Sequence, residues 1–147
     1  MRLARIAIIC CMAVAMLALV GCASGPEKTW EDFVDAIKDG RADDALSHMD
    51  LMRMTERVLA EDEEMAAASE MFGGAEGIAS LLEAEFRAAF AEGEFGLDET
   101  DTTLINADVS STEIDGDTAV LLIEAEDETG TVHMERIDGD WKIVMFE

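Results

Sequence analysis

The side chains best suited to proton transfer in this chain are its two histidines, His48 and His133. Histidine gains or loses a proton near neutral pH more readily than other side chains, so His133 is a candidate general base. His133 alternates with Val132 and Met134 on a predicted strand, and no serine or cysteine nucleophile is identifiably set beside it. His48 lies on the flank of a predicted helix with no activating group nearby. Both patterns are typical of surface or structural histidines.

Glu85 is a second candidate, because it falls inside an apolar helical stripe. It follows Leu82 by three residues and Leu81 by four, which places the three side chains on neighbouring positions of one helix. A carboxylate buried there must be protonated or paired, since an isolated buried charge costs several kcal/mol. We expect Arg136 on a predicted strand as its partner, because Arg87 projects to the opposite side of the helix. The alternative is a carboxylate at the edge of the stripe, in water.

Cys22 carries the most specific chemical signal of the chain. A positively charged N-terminal region with Arg2 and Arg5 is followed by an uncharged apolar run at 6–20 and then by small residues. This order is typical of a secretory signal peptide. The motif Leu-Val-Gly-Cys that ends this segment resembles the lipobox of bacterial lipoproteins. That resemblance implies cleavage between Gly21 and Cys22, diacylglycerylation of the Cys22 sulfur and acylation of the new amino terminus, as with palmitate.

The alternatives for this segment are an uncleaved membrane helix and an ordinary signal peptide. The apolar run has 15 residues, fewer than the roughly 20 that span a bilayer, whereas small residues at Gly21 and Ala23 would allow ordinary cleavage. We expect a lipoprotein signal peptide at 1–21, a lipidated cysteine and short tether at 22–25, and a single domain at 26–147. Neither Ala23 nor Ser24 is the aspartate that signals inner-membrane retention in well-studied lipoproteins. In a cell with two membranes we therefore expect the outer one, with the domain facing the periplasm.

The charge of the chain excludes several function classes. It has 34 acidic and 10 basic side chains, and loss of Arg2 and Arg5 leaves eight basic ones, a formal net charge of −26. Nucleic acid binding needs basic patches, and anionic lipid headgroups would be repelled, so only acyl chains could hold the protein on a membrane. Cys10 and Cys11 leave with the signal peptide, which excludes disulfides and cysteine zinc sites. No stretch matches a calcium loop, and we expect no metal and no cofactor.

Three amphipathic helical segments are predicted before residue 92. The first begins at Pro26, ends at Gly40 and repeats apolar residues at i, i+3, i+4 and i+7. The second starts at Ala42, breaks near Asp50 and resumes through a methionine-dense, alanine-rich stretch that ends in a glycine loop with Gly73, Gly74 and Gly77. The methionines suit either core filler or a flexible lid over a pocket. The third runs from about 75 to 91, with this apolar face: Ile78, Leu81, Leu82, Phe86, Ala89 and Phe90.

After Gly96 the hydrophobic period changes from 3.6 to 2, which predicts strands at 103–109, 118–125, 131–137 and 141–146. The dipeptides Asp115-Gly116, Thr129-Gly130 and Asp138-Gly139 stand between them. Asp-Gly between alternating segments favours a tight hairpin, and such short links make neighbouring strands antiparallel. The chain is therefore predicted to be an α+β domain with N-terminal helices packed on one face of a four-stranded antiparallel sheet.

Several local motifs resemble small bacterial lipoproteins of unknown function with the cone-shaped nuclear transport factor 2-like fold. The ending Asp-Gly-Asp-Trp-Lys-Ile at 138–143 resembles their last hairpin. The resemblance implies a curved sheet that encloses a cavity with the helices, and it carries over no catalytic residue. The opening of the domain resembles theirs through the following residues: Pro26, Phe33, Ala36-Ile37-Lys38, Gly40 and Ala45-Leu46.

The leading expectation is a non-enzymatic envelope lipoprotein that binds a partner protein or a small apolar ligand. An isomerase- or dehydratase-like enzyme, with His133, Glu85 and Arg87 as the residues to test first, is one alternative; a purely structural accessory is the other. Enzymes of this superfamily commonly use a tyrosine at the oxyanion, and this chain has no tyrosine. The predicted cavity is lined by the following residues: Leu81, Leu82, Glu85, Phe86, Phe90, Trp141, Ile143 and Met145.

The predicted sheet also raises the question of association. The segment at 118–125 is apolar on both faces, with Ala119, Leu121 and Ile123 on one and Val120 and Leu122 on the other. The last strand follows the same pattern, with Trp141, Ile143 and Met145 opposite Val144 and Phe146. One face can pack on the helices, and the other needs cover. A homodimer through the sheet and a strongly curled sheet closed by its own loops are both compatible with this pattern.

Overall fold

The computed structural model describes residues 24–92, 106–125 and 128–147. The predicted signal peptide, its cleavage site at Gly21 and the lipidated Cys22 lie outside the described residues. The helices are α1 (Pro26–Lys38), α2 (Ala42–Ser47), α3 (Leu51–Glu61), α4 (Glu63–Ser69) and α5 (Gly74–Glu92), with a 3₁₀ turn at Glu70–Phe72. These bounds follow the predicted segments, including the break at Asp50. Gly77 is an exception, because it lies inside α5 and not in a loop.

The strands are β1 (Asp108–Asp115), β2 (Thr118–Ala125), β3 (Glu128–Ile137) and β4 (Asp140–Phe146). They form one sheet in the order β1-β2-β3-β4, and each neighbouring pair is antiparallel. Two of the helices, α1 and α3, pack against this sheet, and the others pack mainly on helices. The α+β class with a four-stranded antiparallel sheet is therefore confirmed for the described part of the chain.

The first strand differs from its prediction. The predicted range is 103–109, but β1 extends from Asp108 to Asp115 and shares only two residues with it. Residues 103–105 lie outside the described residues. The sequence of β1 is mostly polar, with Val109 and Ile114 as its two aliphatic residues. Its apolar and polar residues therefore show no clear period of 2. Pairing with the apolar β2 decides the structure of this segment, as strand propensity depends strongly on the neighbouring strand.

The hairpin turns also correct the prediction in part. Asp138 and Gly139 have φ values of 54° and 97°, as a type I′ turn requires at both central residues. The β1–β2 turn is instead centred on Gly116 and Asp117, one residue later than predicted, with positive φ at Gly116 alone. Gly130 does not turn at all, because it lies inside β3 opposite Ile123.

The core lies between α1 and one face of the sheet. The helical repeat of α1 buries Trp30, Phe33, Val34 and Ile37, each less than 8% exposed. Pro26 occupies the first turn, and the chain leaves the helix through Gly40, whose φ is 71°. Alternation on the strands supplies the other half of the core, in the following residues: Ala119, Leu121, Ile123, Val132, Met134, Trp141 and Ile143.

The outer edge of β4 is covered by the link between α2 and α3. The amide of Asp50 donates to the Ile143 carbonyl at 2.9 Å, and the amide of Ile143 donates to the His48 carbonyl at 2.8 Å. Met49 thereby pairs with Ile143 as an isolated parallel bridge. This link fixes where α3 starts, and it satisfies backbone groups that an edge strand otherwise leaves open.

The opposite face of the sheet has less cover. Val120 and Leu122 on this face are partly exposed, whereas Leu121 between them is fully buried. A bulge in β4 pairs Met134 with Ile143 but His133 with Met145, so Val144 is the additional residue. Phe146 therefore shares its face with Val132 and packs on Trp30, contrary to the predicted alternation of this strand. The sheet-to-sheet homodimer stays a prediction.

Candidate functional site

The helix predicted to line a cavity, α5, does not lie over the sheet. It packs mainly on α3, with further contacts to α2 and α4. Phe86 and Phe90 are half-buried against the core, with their ring centroids 4.8 Å apart. Leu81 and Leu82 are 50% and 42% exposed, so their predicted position inside a cavity is wrong. The reason is that α1 already occupies the core face of the sheet.

Glu85 is exposed, which contradicts its predicted position in an interior pocket. It lies one turn after Leu81, on a face of α5 that no other described element covers. Its predicted partner is engaged elsewhere: Arg136 lies 3.6 Å from the Asp117 carboxylate, and its guanidinium is 4.6 Å from the Trp141 ring centroid. The predicted polar pair is therefore not formed.

The strand residues predicted to line the cavity do not share one environment. Trp141 and Ile143 are buried in the core at 3% and 0% exposure. Met145 pairs with His133 on the opposite face, because the bulge at Val144 changes the alternation. The candidate set of eight lining residues is thus divided between core, outer sheet face and solvent.

An open groove lies instead among α2, α3 and α5. It has a volume of about 660 Å³ and a partly apolar floor that includes Leu46, Met49 and Met52. Arg87 on α5 reaches across it, pairing with Asp43 of α2 and with Glu83 at 2.8 Å. The polar rim and the opening to solvent show that this is an open surface groove and not an enclosed ligand cavity.

Beside the groove, α3–α5 and the 3₁₀ turn form what we call the helical layer, residues 51–92. Large apolar side chains stand exposed on it, most of all Met71 at 86% and Phe72 at 57%. We call the following set the apolar surface: Met52, Val58, Met65, Met71, Phe72, Leu81 and Leu82. Where exposed apolar side chains adjoin one another on a soluble protein, the surface commonly serves an interaction.

Ion pairs hold the helical layer to the sheet, and side-chain caps fix where two of its helices begin. Arg53 and Arg57 on α3 both bind the carboxylate of Glu135 on β3, whose side chain is only 17% exposed. The Asp50 side chain accepts from the Arg53 amide at 2.9 Å and caps α3. The Asp62 side chain caps α4, accepting from two amides at 2.9 and 3.0 Å.

We expect Glu135→Gln to lower the free energy of unfolding by about 1–2 kcal/mol, because two arginines lose a charged acceptor that is mostly shielded from water. The loss should shrink in 1 M salt, where screening weakens the pairs. Urea unfolding at low and high salt measures both effects. Glu113→Gln on the exposed β1 is the matched control and should change stability by less than about 0.5 kcal/mol. Equal effects of the two changes would contradict this role for Glu135.

The described contacts of the two histidine rings include no serine or cysteine nucleophile. His133 Nε2 lies 3.1 Å from a carboxylate oxygen of Glu147, and its cross-strand neighbours are Val120 and Met145, neither of which is a nucleophile. His48 is partly buried beside the β4 edge, and this burial lowers the pKa of its imidazole below the ordinary value. Its backbone carbonyl, not its ring, makes the contact with Ile143.

Neither a metal site nor a membrane span is found within the part of the chain that the structure describes. No group of three or more histidine, cysteine, aspartate or glutamate side chains there is arranged to hold a metal ion. No helix in residues 24–92, 106–125 or 128–147 combines the length and apolar character needed to cross a bilayer. Comparison with models of protein families, with curated proteins and with solved structures finds no match. The resemblance to small envelope lipoproteins therefore stays a prediction.

Proposed function

We propose that this chain is a non-enzymatic lipoprotein of the bacterial cell envelope whose acidic domain binds a partner protein through the helical layer. The motif at 19–22 and the basic, apolar segment before it support the anchor. The short stretch from Cys22 to Gly25 links that anchor directly to α1. An attached domain of this kind would present its surfaces within reach of other envelope proteins.

The observation that carries the partner proposal is the apolar surface. Seven large apolar side chains of the helical layer are each at least 39% exposed. Leu81 and Leu82 illustrate the point, because every residue from Ser80 to Glu85 on that stretch of α5 is exposed. Because these leucines stay 50% and 42% exposed, each forgoes part of the roughly 1.5–3 kcal/mol of hydrophobic free energy that full burial supplies.

A protein partner fits this surface better than a bilayer or a small ligand does. Acidic side chains greatly outnumber the three arginines of residues 51–92, so an anionic membrane surface would repel the layer. The groove beside it is open and rimmed by Asp43, Glu76 and Glu83, whereas sites for small apolar ligands are usually enclosed. Apolar side chains surrounded by a polar rim are the usual composition of protein interfaces.

The test is the size of the complex in which the full-length protein is extracted from native membranes by mild detergent. We expect the wild type to elute as a complex larger than the purified protein, and Leu81→Ser/Leu82→Ser to elute at the size of the free protein. The matched control is Ala84→Ser/Ala88→Ser, which changes two exposed positions of the same helix without removing a large apolar side chain. A wild type of free size, or a leucine variant that keeps the complex, would contradict the proposal.

A further inference from the structure

The two outer edges of the sheet differ in their backbone hydrogen bonds. The β4 edge is paired with residues 48–50, whereas within the described ranges β2 is the one strand that pairs with β1. Among the described residues, no backbone group hydrogen-bonds to the outer edge of β1. An edge strand of this kind presents a row of open N–H and C=O groups, which is a template for an additional strand.

Specific backbone groups on β1 can be assigned to this open edge. The two-residue turn at Gly116 and Asp117 makes Asp115 and Thr118 a hydrogen-bonded pair. In an antiparallel ladder the next pair, Ile114 with Ala119, is then not hydrogen-bonded, so the N–H and C=O of Ile114 point away from β2. The same alternation turns the backbone groups of Thr112 outward.

A groove of about 520 Å³ runs beside this edge, between α1 and the start of β1. Its walls include the apolar side chains of Val34 and Val109. Four carboxylates surround them, those of Glu27, Glu31, Asp35 and Asp108, and Lys38 is the one cation among the described lining residues. Glu27 is held across the groove by the Thr112 hydroxyl, which donates to its Oε1 at 2.7 Å.

The same charges exclude a second copy of this chain as the occupant. β1 itself carries Asp108, Glu113 and Asp115, so two β1 edges brought together would oppose like charges within a chain of formal net charge −24. The bulge at Ser110 further disturbs the regular ladder that a symmetric pair of edges needs. A cationic strand avoids the charge obstacle, because its lysines or arginines would face carboxylates. It can pair beside residues 111–115, which lie after the bulge and are in regular register with β2.

We propose that β1 and the adjoining acidic groove bind an extended, basic segment of another protein by strand addition. Backbone hydrogen bonds to Ile114 and Thr112 hold the segment along the edge. Because side chains alternate along a strand, every second residue turns toward α1. Lysine or arginine at these positions lays its aliphatic stem on Val34 and Val109 and its charge against Glu31 and Asp35. This site is separate from the apolar surface and does not depend on it.

The test uses a fluorescent octapeptide of alternating lysine and valine, with the alternating glutamate–valine peptide as its counterpart. Binding to the full-length protein in detergent is followed by fluorescence anisotropy. Ile114→Pro removes one outward N–H at an edge position where proline is tolerated, and Ile114→Thr keeps it. We expect the proline variant to bind the basic peptide at least tenfold more weakly than the threonine variant, and the acidic peptide not to bind.

Charge is tested separately from the backbone. Glu31→Gln/Asp35→Asn should weaken binding at least threefold, whereas Glu63→Gln/Glu64→Gln on α4 removes the same charge at a distance and should leave it within error. If the two Ile114 variants bind the basic peptide equally well, the peptide is held by nonspecific electrostatic attraction and the proposal is overturned. Equal loss of peptide binding in the two double charge variants would overturn it as well. Self-association that the proline variant abolishes would make a second copy the occupant and also overturn it. Leu81→Ser/Leu82→Ser should bind the peptide normally, which separates this site from the apolar surface.

Discussion

Gly77→Ala is expected to destabilise the protein by about 2 kcal/mol or more, although alanine is normally the better residue inside a helix by about 1 kcal/mol. Gly77 lies in the first turns of α5, directly over the end of the 3₁₀ turn. A Cβ atom there would overlap the carbonyl oxygen of Phe72 and lie 2.7 Å from its carbonyl carbon. Backbone atoms cannot rotate away as a side chain can, so the junction must open.

Thermal and urea unfolding measure this effect, and amide hydrogen exchange shows whether it is greatest in residues 70–80. Gly25→Ala is the control, because a Cβ there meets nothing within 4 Å and the residue has an ordinary negative φ. We expect it to change stability by less than about 0.5 kcal/mol. A Gly77→Ala variant as stable as the wild type would show that the α4–α5 junction is not packed as the structure has it.

Cys22→Ala is expected to abolish lipidation and with it the stable attachment of the mature domain to the membrane. Each buried methylene of an acyl chain contributes about 0.8 kcal/mol, so the chains of a mature lipoprotein hold it essentially permanently. With 34 acidic side chains in the sequence, no electrostatic attraction to anionic lipid would replace them. The variant should appear as a soluble or an unprocessed form.

The measurement combines fractionation of salt-washed membranes with the intact mass of the protein. The wild type should begin at residue 22 and carry the mass of its acyl chains, and labelled palmitate should enter the wild type but not Cys22→Ala. Cys10→Ala and Cys11→Ala are the matched controls, since both cysteines belong to the predicted signal peptide and should leave mass and fractionation unchanged. Unchanged fractionation of Cys22→Ala together with an unshifted mass would contradict lipidation.

Regular periodicity predicted most of the fold. The repeat of Trp30, Phe33, Val34 and Ile37 identifies the buried face of α1, because a surface helix is oriented by one apolar stripe. Strands β2 to β4 were predictable because short apolar or alternating segments there are bounded by turn residues. β1 was not, since an edge strand needs few apolar side chains and its position is fixed by pairing with β2.

The candidate site was harder to predict, because it depends on how helices are oriented. Apolar residues occur around most of α5, so the pattern does not say whether Leu81 or Phe86 faces inward; packing of α5 on α3 decides it. Arg53 and Arg57 bind Glu135, which follows them in the sequence by 82 and 78 positions, respectively. No local sequence pattern indicates this contact. The bulge that separates Met145 from Ile143 has no sequence signal either.

The most direct test of the proposed function is photo-crosslinking in cells from position 81. A photoactivatable amino acid replaces Leu81 in the full-length protein, with Met71 as a second position on the apolar surface and the exposed Thr129 on β3 as control. The proposal predicts one discrete adduct with the same envelope protein from positions 71 and 81 and none from 129. The proposal is contradicted if positions 71 and 81 give no adduct, or if their adducts form only between copies of this chain. It is also contradicted if position 129 gives the adduct in equal amount.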